Sequence, residues 1–325
     1  LKRRIMPFFI CLSAMNLLNL PSELPIARYR LHFTLTHDLQ LPSYAASTLR
    51  GVFGHALLAA ACTCDTPQTP HLSDCPYAQI FEPAPCADLP SSVRQSPPPP
   101  YLIETPLVAP THFPAGAGYA FDLVLFGRAR HSLPLIAAVF AQAFAKGLGA
   151  NNAGKGELSI IAVQQADGSF LTISERGSPI ALHDNHIRLP ERYPSHAHIQ
   201  LLTPLRIQQK GRILRETELT QAVFLRQLLR RYLTLAHLHW GNNANAAELS
   251  AQIGGQGVPP RLSWHEHRRF SNRQKQITPL SGAIGTWQLT GLSPAFSQML
   301  YIGQWLHLGK ETVFGNGQYR IIQAA

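Results

Sequence analysis

The alternation of apolar and polar positions divides the chain into two similar series of elements. IARYRLHFTLT (Ile26 to Thr36) alternates at a period of two, which predicts a strand with one buried face. In SYAASTLRGVFGHALLAA, Leu49, Val52, Phe53, Ala56, Leu57 and Ala60 recur at helical spacing, with Ser47 placed to cap the start. Residues 62–116 are rich in proline and cysteine and read as an irregular insertion, Pro97 to Pro100 forming an extended spacer. Tyr119 to Gly127 predicts a strand, Leu133 to Lys146 an apolar helix, and ELSIIAV a strand after a glycine loop. The second series has a strand at His196 to Ile207 and a long amphipathic helix at Thr217 to Trp240. On that helix Phe224, Leu228, Tyr232 and Leu235 share one face, opposite Arg226, Arg230 and His237. A hairpin-like segment from Arg268 to Leu292, a helix from Ser297 to His307 and a strand at Tyr319 to Ile322 follow.

Each series therefore runs strand, helix, two strands, helix, strand, the ferredoxin-like order. The glycine loops repeat as well. In KGLGANNAGKGELSII (Lys146 to Ile161) and HLGKETVFGNGQYRII (His307 to Ile322), Gly154 and Gly156 match Gly315 and Gly317 without a gap. The second loop is no phosphate-binding P-loop, because Glu311 follows Lys310 and a helix precedes the glycines instead of a strand. The expected fold class is α+β: two tandem ferredoxin-like domains with a glycine-rich loop before the last strand of each. Residues 1–20 form an N-terminal extension and 21–173 the first domain, with its insertion at 62–116. Residues 174–195, with Pro179, Pro190 and Pro194, are the linker, and 196–325 the second domain.

The net charge of +10 is uneven: residues 1–160 carry 11 Lys/Arg against 9 Asp/Glu, residues 161–325 carry 17 against 9. Basic excess in one half points to a polyanionic partner, most simply nucleic acid. Five cysteines, an odd number, do not form a secreted disulfide framework. The opening LKRRIMPFFICLSAM imitates a signal peptide, but its apolar run is short and no small-x-small cleavage site follows. It reads as an upstream extension or a misplaced start. No run reaches the roughly 18 apolar residues that span a membrane, so a cytoplasmic protein is expected.

Taken in order, SYAASTLRGVFGHAL, CPYAQIFEP, PPYLIETP, FDLVLFGRA, RRFSNRQKQITPLSGAIG and HLGKETVFGNGQYRI resemble the RAMP superfamily of CRISPR-associated proteins. The resemblance is nearer to its CRISPR RNA-processing endoribonucleases and covers residues 26 to 322. It implies an antiviral-defence hydrolase whose partner is the repeat of a precursor CRISPR RNA, cut once per repeat without metal or cofactor. The ribose 2′-hydroxyl attacks the adjacent phosphorus and leaves a 2′,3′-cyclic phosphate. The alternative is a catalytically silent RAMP subunit that binds guide RNA among the subunits of an effector complex. A nonspecific nucleic-acid binder is a third reading.

In-line cleavage needs a base, an acid and positive charge near the phosphorane, and histidine suits the proton transfers. His55 lies off the apolar stripe of its helix, and the resemblance places a catalytic histidine on or near that helix. Tyr44 either assists it or packs. His237, His265, His267 and His307 are the next candidates. For RNA binding, RLSWHEHRRFSNRQKQ supplies Arg268, Arg269, Arg273 and Lys275 as cations and Ser271 and Gln274 as neutral partners; the plainer reading is a solvated basic hairpin. Arg50 either contacts RNA or joins the two halves. Gly309, Gly315 and Gly317, with His307, Lys310 and Thr312, are expected to present backbone N–H groups to the RNA backbone beside a shared basic groove, unless the fold simply needs glycines there. Cys62, Cys64 and Cys75 sit where the resemblance places a cysteine cluster suggestive of zinc. The segment lacks paired CxxC units, His71 or Cys86 would have to complete a set, and no bound metal is expected.

Overall fold

The structure, a computed structural model, describes residues 24–64, 71–183, 187–190, 192–241, 244–254, 257–271 and 276–324, with Leu18 and Leu20 ahead of them. The first half contains β1 (Ile26–Leu35), β2 (Leu39–Gln40), α1 (Ala46–Ala61), α2 (Pro76–Ile80), α3 (Ser91–Arg94), β3 (Tyr101–Glu104), β4 (His112–Phe113), β5 (Gly118–Phe126), α4 (Leu133–Lys146), β6 (Gly156–Gln164) and β7 (Phe170–Glu175). The second contains β8 (Ala197–Leu205), β9 (Gln208–Gln209), β10 (Arg212–Ile213), α5 (Gln221–His239), α6 (Ala246–Ala251), β11 (Arg261–His265), β12 (Arg268–Ser271), β13 (Gln276–Pro279), β14 (Gly282–Leu289), α7 (Pro294–Leu306) and β15 (Tyr319–Ala324).

The first sheet runs β3-β5-β1-β6-β7 and the second β11-β14-β8-β15, with antiparallel pairing throughout. Each contains the ferredoxin-like arrangement in which the first strand lies between the third and the last. The alternation in β1 sends Tyr29, Leu31, Phe33 and Leu35 into a core beneath α1 and α4. Phe33 stacks on Phe144 at 3.7 Å and Phe53 on Phe140 at 4.8 Å. In the second half Phe224, Leu228, Tyr232 and Leu235 bury the inner face of α5 against Trp287 and Tyr319. Ile26, Leu102, Val124 and Phe126, from the first sheet, belong to that same second core. The halves thus share buried apolar surface, the main favourable term in such packing.

Several expectations change. Residues 62–116 are not one irregular insertion, because β3, the second strand of the ferredoxin-like order, lies within them. Ser47 does not cap α1; the cap residue is Ala45, and no side chain bonds there. β7 extends the first sheet, so residues 174–175, assigned to the linker, lie in a strand instead. Part of the linker (184–186 and 191) lies outside the described residues, as does the extension at 1–17. Helix α6, capped by Asn245, was not expected.

The glycine loops correspond, but not in the gap-free register. Leu148 exchanges backbone hydrogen bonds with Gly154, and Leu308 donates to Gly317. Hydrogen bonding therefore pairs Gly154 with Gly317, not with Gly315. Gly149 and Gly309 also correspond: each lies against a backbone carbonyl beyond the first strand of its half, Gln40 in β2 and Arg206 after β8.

Candidate functional site

The halves interlock where α1 meets the second glycine loop. Tyr44, just ahead of α1, is 1% exposed, and its hydroxyl donates to the Phe314 carbonyl. Arg50, one turn into α1, lies over the rings of Phe81 at 4.3 Å and Phe314 at 5.3 Å. Gly315 leaves no room for a side chain: a Cβ there would sit 2.8 Å from the Ile103 carbonyl oxygen and 2.9 Å from the Tyr44 hydroxyl. Thr203 donates to the Gly315 carbonyl at 2.6 Å, and Asn316 donates to Leu280 at 3.1 Å. Of the two readings of Arg50, the geometry is that of a brace between the halves. Tyr44 likewise has the position of a packing residue, and burial raises its hydroxyl pKa far above the ordinary tyrosine value.

Many of the loop's backbone donors are already taken within the protein. Backbone N–H groups of Leu308, Lys310, Phe314, Gly315 and Gly317 all donate to carbonyls of the protein, and Gln318 donates to Thr203 Oγ1. Gly315, Gly317 and Thr312 are buried. Of the loop residues assigned to RNA, only Lys310 has an exposed side chain. The plainer reading of Gly309, Gly315 and Gly317, a tight passage from helix to strand, fits this geometry. Arg268, Arg269 and Ser271 lie on the hairpin, but their side chains are outside the described residues, as are Arg273, Gln274 and Lys275.

His307 corrects another expectation: it is 0% exposed and faces inward, not toward RNA. It ends α7 at φ 56° and ψ 159°, a region suited to glycine, and Gly147 is its counterpart at the end of α4. Such a conformation costs on the order of 1–3 kcal/mol. Its Nε2 lies 2.7 Å from Glu104 Oε1 on β3 of the other half. Arg28 grips the same carboxylate through Nε at 2.7 Å and Nη2 at 2.9 Å. Arg28 also donates to Gln164 at 2.8 Å and to the Gln304 carbonyl at 3.2 Å, and lies over Trp305 at 5.6 Å. Burial alone would raise the Glu104 pKa, but Arg28 and His307 hold it at about 2. His307 is itself lowered: burial outweighs the contact with Glu104, which raises it, and Arg28 and Arg231 lower it further.

Beside this network a cleft of about 510 Å³ separates the sheets, lined in part by Arg30, His32, Glu104, Asp122, Thr203 and Gln318. Arg30 forms two bonds to Asp122, at 2.6 and 2.8 Å. His32 is pushed toward its neutral form by burial and by Arg30. Each cation here is matched by a carboxylate, so this part of the cleft is not the basic groove expected from net charge.

His55 is exposed on α1 and makes no hydrogen bond or ion pair among the described residues. Tyr44 precedes α1 and His55 lies more than two turns into it, on the order of 15 Å away along the axis. Tyr44 and His55 are thus not placed to act on one phosphate. His267 is nearer the junction: its ring meets that of Tyr44 edge-on at 5.3 Å and stacks with His265 at 6.4 Å. Its pKa is lowered, by burial first and by His265 second. Glu104, Arg28 and Gln164 were not among the candidates. Nothing local marks them, whereas a histidine opposite Gly147 in the duplicated loops was a visible signal.

This is the architecture of a RAMP-type CRISPR-associated protein, two ferredoxin-like folds locked through a glycine-rich loop. Residues 24–186 match the family model described as AF_1859_N: N-terminal domain, and residues 199–319 match that of the CRISPR-associated endoribonuclease Cas6. The chain thus belongs to the AF_1859_N family through its first half, and its second half is similar to Cas6. Among solved structures it is similar to a partial Cas6-RT-Cas1–Cas2 complex, with a TM-score of 0.57 and 15% identity over 94% of this chain and 48% of that one. The Cas6-RT-Cas1–Cas2 complex gives 0.57 and 15% over 94% of this chain and 30% of that one. A product complex of Thermus thermophilus Cas6 gives 0.54 and 14% over 91% and 100%. This chain thus spans about half or less of the first two relatives. No curated protein matches the sequence.

Proposed function

We propose that this protein is a metal-independent endoribonuclease that cuts precursor CRISPR RNA once within each repeat and so supplies guide RNAs for antiviral defence. The observation that carries the reading is the interlock of α1 with the second glycine loop in a chain matched by Cas6. It fixes the solvent face of α1, and His55 on it, relative to the second half. Cleavage proceeds by attack of the ribose 2′-hydroxyl on the adjacent phosphorus, giving a 2′,3′-cyclic phosphate and a 5′-hydroxyl. His55, with its imidazole open to solvent, is the group available for proton transfer. Lys310 and the basic hairpin supply charge to the RNA backbone.

His267 is a second candidate for the proton transfer, favoured by its place against Tyr44 and by the lowered pKa that keeps it neutral and able to accept a proton. The two histidines are separated by testing His55→Ala and His267→Ala on the same repeat RNA. Removal of the working group lowers single-turnover cleavage by about 10²–10⁴-fold with RNA affinity retained. Near-normal cleavage by His55→Ala removes His55 from the role. A guide-binding subunit without catalysis would bind the repeat and leave it whole in wild-type form.

A further inference from the structure

Beyond the end of α1 four potential metal ligands converge: Cys62, Cys64, His71 and Cys75, with ligand atoms all within 4.8 Å of one another. We infer that these four side chains bind one structural zinc ion. The spacings carry the inference. A tetrahedral ion with Zn–S of about 2.3 Å and Zn–N of about 2.0–2.1 Å sets its sulfurs about 3.8 Å apart and sulfur from nitrogen about 3.6 Å. Cys62 Sγ and Cys75 Sγ are 3.9 Å apart, and Cys62 Sγ and His71 Nδ1 are 3.5 Å apart. The sulfurs are too far apart for a disulfide, whose bond is about 2.05 Å, and the cysteines are free.

The surroundings suit thiolates. Leu72 N–H donates to Cys64 Sγ at 3.4 Å, and the backbone N–H groups of Ala78, Tyr77 and Thr63 donate to Cys75. The His71 ring rests against Tyr77 at 4.8 Å, which fixes its plane, as outer contacts of metal ligands do. Three sulfurs and one imidazole, all from protein, make a closed site of the structural kind, with no position for substrate. The missing CxxC pairs are replaced by a Cys-x-Cys at the end of α1 and a cysteine that starts α2.

The ion has a mechanical role in this position. Cys75 is the N-cap residue of α2, and Phe81 closes that helix. The Phe81 ring presses on Gly54 of α1 and lies under Arg50. Joining Cys62 to Cys75 through the metal holds Phe81 in place, and with it the seat of the arginine that braces the two halves. The inference does not depend on RNA cleavage.

The full chain, expressed with zinc in the medium and passed through gel filtration, is assayed by elemental analysis and refilled with cobalt(II). The expected results are one zinc per chain, near-ultraviolet thiolate-to-cobalt charge transfer and the intense visible bands of a tetrahedral ion. Because Cys75→Ser removes a buried group and endangers folding, His71→Ala is the decisive variant. It keeps the fold by circular dichroism and loses zinc affinity by more than the about 10–100-fold that an outer contact is worth. Folded wild-type protein without zinc, an octahedral cobalt spectrum, or zinc retained by His71→Ala but lost in Cys86→Ser would overturn the inference.

Discussion

His307, at the end of α7, and Glu104, on the edge strand of the other half, meet at 2.7 Å with both side chains buried. Arg28 donates to both oxygens of the same carboxylate, so one glutamate ties β1, β3 and the C-terminal half together. A histidine stands where the first half uses Gly147, and its backbone strain is offset by that contact. The network tolerates loss of a partner poorly, because removing one member of a buried pair leaves an uncompensated charge.

Glu104→Ala should therefore destabilise the protein by about 3–5 kcal/mol in urea denaturation. A loss below about 1 kcal/mol, the range of surface ion pairs, would show that the network is not buried in solution.

Stability should fall with acid in two stages. Glu104 titrates at about 2 in the fold against 4.5 ordinarily. Its contribution is complete above pH 4.5 and is lost as pH drops toward 2. His307 is also lowered in the fold, from 6.5, so its stabilising effect is complete above pH 6.5 and declines below that value. Tm followed across this range should decline more steeply in wild type than in Glu104→Gln below pH 4.5, where the carboxylate contribution is absent from the variant. Parallel profiles would contradict the assignment.

Tyr44→Phe removes one buried hydrogen bond, the one its hydroxyl donates to the Phe314 carbonyl. The expected cost is about 0.5–1.5 kcal/mol of stability, with the cleavage rate close to wild type at temperatures where the variant is folded. A rate loss on the scale of a missing general acid, with stability unchanged, would restore Tyr44 as a catalytic group.

Two glycines separate close packing from helix propensity. Gly317 has φ 73°, and a Cβ there would overlap the Leu308 carbonyl, so Gly317→Ala should be poorly folded or strongly destabilised. Gly51, inside α1, has nothing near its Cβ position, and Gly51→Ala should stabilise by up to about 1 kcal/mol. Thermal melts of the two variants read both outcomes.

The long elements were legible because their periodicity reflects one buried face: the alternation of β1 and the stripe on α5 each map onto a core. β3 escaped notice because all four of its residues are buried, so it has no alternation, and the prolines beside it imitate a loop. The glycine loop was visible as a repeat, but its chemistry was not. Whether a backbone N–H is free depends on carbonyls such as Pro204 and Arg206, which are distant in sequence. The cleft misled for a similar reason, since net charge does not reveal that Arg28 and Arg30 face Glu104 and Asp122.

Incubating the wild-type protein with its cognate repeat RNA in EDTA, with circular dichroism confirming the fold, tests the central claim most directly. The account predicts one discrete cut per repeat and a 2′,3′-cyclic phosphate end. Tight binding of intact repeat RNA, or cleavage that appears only when a divalent metal is restored, would contradict it.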